Sequence, residues 1–246
     1  MYKTYMAENS EYAINTRTGL IVYICICAIM FMILLFGSVS LSTGIAKYNK
    51  YTSSIIFLFV SFWLSTFVVQ LMMNIAISKK QTTCSGDNNY SGNNPFLITL
   101  MPWVFVLGIF MVLLYFIPGL LRVFSNTIGM SIVYDTFRVN IDGKIKEGQS
   151  LLTQDNLKNI YIKISNEPQL IINEMEYSSD SGFNETYSKY SRAFPFIFKD
   201  DDTDFKDKIR QLIISKNLFG YAIWIALVGT ISSLVSTNAM INVECG

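Results

Sequence analysis

Residues Pro102 to Gly129 read PWVFVLGIFMVLLYFIPGLLRVFSNTIG. An apolar run opens behind Pro102-Trp103, closes at Pro118-Gly119, and gives way to Arg122 and the polar triplet Ser125-Asn126-Thr127. Proline offers no N–H and glycine tolerates left-handed backbone, so Pro118-Gly119 marks the end of a continuous apolar helix. A bilayer core takes roughly 20 apolar residues as a helix. The run from about Phe96 to Ile117 meets that length, with an indole at its start suited to the membrane interface.

Three further runs of the same kind flank this one: Leu20–Leu41, Ser54–Ile77 and Leu218 to about Ser236. Hydrophobic residues make up 51% of the chain and charged residues 15%, the latter well under the roughly 25% of soluble domains. The expected fold class is therefore a polytopic α-helical membrane protein with four transmembrane helices. A polar lead, residues 1–19, precedes the first span and does not resemble a signal peptide. A polar tail, residues 237–246, follows the last.

Between spans three and four lies one polar stretch, residues 124–217, long enough to bury a modest core. Leu157–Ile164, LKNIYIKI, alternates apolar and polar residues and predicts a strand, and Gln169–Met175 predicts a second. Asp142-Gly143 predicts a turn, Phe194–Phe198 a short apolar piece, and residues 176–192 a loop. The expectation is a small α+β soluble domain inserted between helices 3 and 4. Asp200, Asp201, Asp202, Asp204 and Asp207 lack calcium-loop spacing and suit a helix N-terminus, followed by an apolar face of Phe205, Ile209, Leu212 and Ile213.

Four spans place both ends and the 78–95 loop on one membrane face, and the 42–53 loop with the polar domain on the other. Lys47, Lys50, Arg122, Lys206, Lys208, Arg210 and Lys216 make the domain's face the more basic, which predicts it cytoplasmic; Lys79 and Lys80 oppose this. Cys84 and Cys245 would share the opposite face and form a disulfide candidate. Cys25 and Cys27, two apart within span one, read as small buried hydrophobes. Sequons stand at Asn89 and Asn184, on opposite faces of this topology.

Chemistry-bearing motifs are sparse. The chain has no histidine, so the commonest general base and metal ligand is missing. It has no phosphate loop, dinucleotide fingerprint, nucleophile elbow or zinc spacing. A net charge of +1 gives no footprint for nucleic acid. No enzyme activity, cofactor or metal is expected. Gln70 and Asn74 share one face of span two and support either a polar pathway or an interhelical hydrogen bond.

Pro102-Trp103, Pro118-Gly119, Phe124-Ser125-Asn126-Thr127 with Gly129, then Ile171-Ile172-Asn173-Glu174 and a near-terminal cysteine stand in a fixed order. That ordered set resembles a family of membrane proteins of nucleocytoplasmic large DNA viruses, in which a Pro-Trp opens a span closed by Pro-Gly and a Phe-Ser-Asn-Thr-x-Gly signature. The match covers roughly residues 84–246 and departs from the family pattern at Leu120, Val123, Ile128 and Met130. The resemblance implies a structural virion protein in an internal membrane, with the lipid bilayer and capsid or minor capsid proteins as partners and homo- or hetero-oligomers possible. The alternative is a small polytopic transporter, channel or membrane scaffold without a capsid role. Ser125, Asn126 and Thr127 are expected to cap backbone groups where span three ends.

Overall fold

The computed structural model describes residues 18–37, 48–85, 94–148, 155–175, 177 and 180–241. Its elements are α1 (Thr18–Gly37), α2 (Tyr48–Ser85), α3 (Pro95–Pro102), a π segment (Trp103–Gly108), α4 (Ile109–Phe116), α5 (Pro118–Phe124), a second π segment (Ser125–Gly129), α6 (Met130–Gly148), α7 (Asp155–Asn166), α8 (Gln169–Ile172), α9 (Asp180–Ala193) and α10 (Thr203–Ile241). Four stretches are long and apolar enough to cross a membrane: Thr18–Gly37, Phe57–Lys79, Pro95–Leu114 and Thr203–Ile241. No more than 44% of any of these is buried within the protein. Their outward residues include Ile24, Phe57, Val60, Phe105, Val112 and Ile231, an apolar surface suited to lipid and not to water.

The chain divides into two compact units. The first comprises Met1–Ile33, Thr52–Pro118 and Ala222–Gly246. Here Tyr23 donates its hydroxyl to Ile225 O and Ala226 O, each at 3.1 Å. A Cβ on Gly229 would stand 2.0 Å from that hydroxyl, so the tyrosine fits only over bare backbone. Trp103 is fully buried, edge-on to Trp63 and Phe67 at 6.4 and 6.3 Å between ring centres. This indole is packed inside the aromatic core of the first unit and does not face outward. Pro102 has no N–H for Ile98 O, four residues back, and Ser236 Oγ donates to that oxygen instead at 3.3 Å.

The second unit comprises Leu34–Tyr51 and Gly119–Tyr221. The α+β expectation fails here: the described residues of 124–217 are helices and turns with no strand. LKNIYIKI lies in α7, which buries Tyr161 and Ile164 and leaves Ile160 and Ile162 exposed. The alternation that predicted a strand was a short apolar run, and such runs do not separate the two periods. Asp142-Gly143 sits inside α6, whose Met130, Val133, Phe137 and Ile141 form one buried stripe. The predicted loop 176–192 holds α9, with Phe183 and Tyr187 buried and Tyr190 and Phe194 against the same core. Gln169–Ile172 forms the short α8, and Phe194–Phe198 is largely turn.

The acidic run does cap a helix. Phe205 N–H donates to Asp202 Oδ1 at 3.0 Å at the start of α10. Phe205, Ile209, Leu212 and Ile213 are all buried, as the sequence pattern requires. The 39 residues of α10 would extend about 58 Å, nearly twice a hydrocarbon core of about 30 Å. Its charged first half therefore lies in the second unit, which runs to Tyr221, and the apolar remainder from Ala222 in the first. The loops predicted at 42–53 and 78–95 are also shorter than expected, since α2 starts at Tyr48 and reaches Ser85. The side chain of Cys84, Cys245 and the sequon at Asn89 lie outside the described residues.

Candidate functional site

α10 turns a lysine inward. Lys216 follows Phe205, Ile209 and Ile213 on the same helix face and is only 2% exposed. Its Nζ donates to Asn126 Oδ1 at 2.8 Å, Ile172 O at 3.0 Å and Asn173 Oδ1 at 3.4 Å. All three ammonium protons are thus used on neutral oxygens. Among the described residues no carboxylate lies within ion-pair distance of it. Withdrawing an ammonium from water costs several kcal/mol, and each oxygen offsets part of that cost.

Two glycines make that approach possible. A Cβ on Gly129 would stand 2.3 Å from Lys216 O, and one on Gly220 would stand 2.9 Å from Ser125 Cβ. The second π segment and α10 therefore cross with backbone against backbone, Ser125 and Gly129 on one side, Lys216 and Gly220 on the other. A π segment shifts the direction of every later side chain in its helix. Here it directs buried Ser125 at Gly220 while Asn126 reaches the ammonium.

These contacts correct the capping role expected for Ser125-Asn126-Thr127. The backbone runs as helix from α5 through the π segment into α6, so the triplet does not stand at a helix end. Thr127 Oγ1 donates back to Val123 O at 2.6 Å, and Asn126 serves the lysine. Of the residues singled out in the sequence, Ser125, Asn126, Gly129, Ile172 and Asn173 gather at this joint. Pro102 and Trp103 belong to the other unit, and Pro118 closes it. A Cβ on Gly119 would meet nothing, Phe124 is half-buried, and Glu174 lies at the surface.

Lys216 itself was counted in the sequence only as a basic residue near a span. Its signal was periodicity, because it continues the buried stripe of α10 at a position where an apolar residue is due. Over the joint lies an open cleft of about 390 Å³, bordered by Asn126, Thr127, Ser131, Tyr134, Asp135 and Asn173.

The first unit holds a different polar cluster. Asn74 Nδ2 donates to Thr99 Oγ1 at 2.8 Å and Ser236 Oγ at 2.7 Å. Gln70 Nε2 donates to Thr237 Oγ1 at 2.8 Å and Asn74 Oδ1 at 3.3 Å, and Gln70 Oε1 accepts from Ser233. Thr99 passes its own proton to Pro95 O at 2.7 Å. Gln70 and Asn74 are buried and partnered, the interhelical bonding their spacing allowed. Among the described residues, no cluster of three or more metal-ligating side chains occurs.

Fold and site together place the chain in the class of multi-pass helical membrane proteins, with a helical polar unit rooted on the last span. No protein-family model, curated protein or solved structure matches the chain.

Proposed function

We propose that this chain is a structural transmembrane protein of a large DNA virus particle, which holds its polar unit at an internal membrane so that the unit docks on capsid or minor capsid proteins. The observation that carries this is the joint: the residues behind the family resemblance, Asn126, Ile172 and Asn173, converge on Lys216 at the root of the last span. A joint of that kind holds α10 against the other helices of the polar unit just before the apolar half of α10 begins, which suits a lobe that must present one surface to a partner. The charge balance around the spans supports a cytoplasmic, capsid-facing lobe.

The outer surface of the lobe supplies contact residues of one kind. Its aromatic rings are turned into the core, and its exposed large hydrophobics are aliphatic: Val123, Ile128, Val139, Ile160, Ile162 and Leu170. Docking through Val139, Ile160 and Ile162 would bury apolar area without requiring a catalytic pocket. The transporter alternative gains nothing from Gln70 and Asn74, whose hydrogen bonds are closed on protein groups. Crosslinking in purified particles tests the proposal. Adducts from residues 135–216 to capsid proteins are expected; absence of the protein from particles, or adducts confined to the opposite membrane face, overturns it.

A further inference from the structure

The cleft over the joint is long and bordered by carboxamides. Asn126, Met130, Tyr134 and Asp135 line it from the second π segment and α6, and Gln169 and Asn173 line it from α8 and its C-terminal end. From Asn126 to Asp135 the helix rises about 13 Å. Lys216 engages the Oδ1 atoms of Asn126 and Asn173, which fixes both amides and leaves each Nδ2 as a donor. Neither Nδ2 has an acceptor among the described residues. Gln169 has the opposite need. Its Oε1 is buried with no donor, although the residue itself is half-exposed. A buried acceptor without a donor is costly, and the terminal torsion of glutamine is broad, so a donor in the cleft can draw that oxygen outward.

Donors and acceptors therefore alternate along this cleft. Thr127 and Ser131 add hydroxyl oxygens that have spent their own protons on Val123 O and Ile128 O, at 2.6 and 2.9 Å. A peptide backbone carries the matching pattern, because each residue offers one N–H and one C=O. Only an extended segment leaves both free, since a helix closes them on itself. At about 3.3 Å per residue, about four extended residues cover the rise of about 13 Å. Asp135 ends the cleft with an exposed carboxylate that has no ion-pair partner among the described residues. No basic side chain borders the cleft, which disfavours a phosphate-rich ligand and favours a cationic one.

We propose that this cleft takes a short extended peptide segment of a partner protein, held by its backbone and carrying one Lys or Arg side chain to Asp135. Backbone carbonyls accept from Asn126 and Asn173, and a backbone N–H donates to Gln169 Oε1. The backbone contacts accept many sequences, and the carboxylate sets the one side-chain preference. The inference uses only side chains of the second unit. Absence of the chain from virus particles would leave it standing, and failure to bind peptide would leave the particle role untouched.

The test immobilises the full-length chain in nanodiscs and offers it capped random hexapeptides in which one position is fixed in turn as Arg, Ala or Glu. Wild type is expected to retain peptides over empty nanodiscs, and Arg pools about fivefold over Ala pools, the ceiling for an exposed ion pair. Asp135→Asn should erase the Arg preference and keep retention; Asp135 is exposed and outside the hydrophobic core, so this variant keeps the fold. Gln169→Met removes the orphaned acceptor, so it should weaken retention of every pool about fivefold without lowering the melting temperature. Backbone N-methylation of a retained peptide should weaken it to a similar degree with no change to the protein. No retention over empty nanodiscs, an Arg preference that survives Asp135→Asn, or indifference to N-methylation overturns the proposal. A photo-reactive residue at position 134 should yield adducts with the retained peptides; lipid adducts in their place make the occupant a lipid and overturn it as well.

Discussion

Both compact units bury polar side chains where helices meet, and they do so on different terms. Around Gln70 and Asn74 every group is neutral, and each amide finds a hydroxyl or a second amide. Around Lys216 one full charge is held by three neutral oxygens. A neutral network can lose one member and leave its neighbours each with another partner, a loss worth about 1–2 kcal/mol in all. A charged joint that loses one oxygen keeps its whole desolvation burden with less to offset it. The first cluster is glue between spans. The second is a position-setting device with little tolerance, since two glycines must also stay bare for it to close.

That contrast breaks most severely at Gly129. Gly129→Val drives a side chain into Lys216 O, and the polar unit should lose its cooperative melting in detergent, a destabilisation of at least about 3 kcal/mol. Next comes the charge itself. Asn126→Leu strands the ammonium and should cost about 3 kcal/mol, whereas Lys216→Met removes charge and burden together and should cost much less. The double variant should melt close to Lys216→Met alone; additive losses would mean that the lysine and the asparagine act independently.

The neutral network responds more mildly. Asn74→Leu leaves Gln70, Thr99 and Ser236 each short of one partner, and thermal stability should fall by about 1–2 kcal/mol. Should Asn74→Leu instead melt as badly as Asn126→Leu, charge is not what separates the two clusters.

The smallest effect is electrostatic and sits near the surface. Asp202 pairs with Lys144 at 2.8 Å, and that contact holds its carboxyl below the usual carboxylate range and the Lys144 ammonium above its ordinary value. A lowered acid contributes stability that is present above its unfolded pKa and is lost as pH falls through the folded one. A raised lysine contributes stability that is present below its unfolded pKa and is lost as pH rises through the folded one. Stability from this pair is therefore flat between the two ranges and declines on both sides, by no more than about 1 kcal/mol. Asp202→Asn keeps a capping oxygen and removes the charge, so its acid decline should be shallower than wild type in pH-dependent melting curves.

The spans were readable because apolar runs of bilayer length have few other uses. The cap at Asp202 was readable because carboxylates at a helix start act locally. The polar unit was misread where local pattern was ambiguous: Phe183, Tyr187, Tyr190 and Phe194 form a helical stripe inside a stretch whose composition suggested loop. The motif around Ser125-Asn126-Thr127 was visible, but its partner was not, because Lys216 lies 90 residues from Asn126.

Partition into lipid depends on each segment's own side chains, so hydropathy alone placed four bilayer-length helices. Burial of Lys216 depends on oxygens that come from two other parts of the chain and on bare backbone at Gly129 and Gly220. No local property encodes that arrangement; it exists once the helices have packed, because only packing removes the ammonium from water and presents the acceptors that make its removal tolerable.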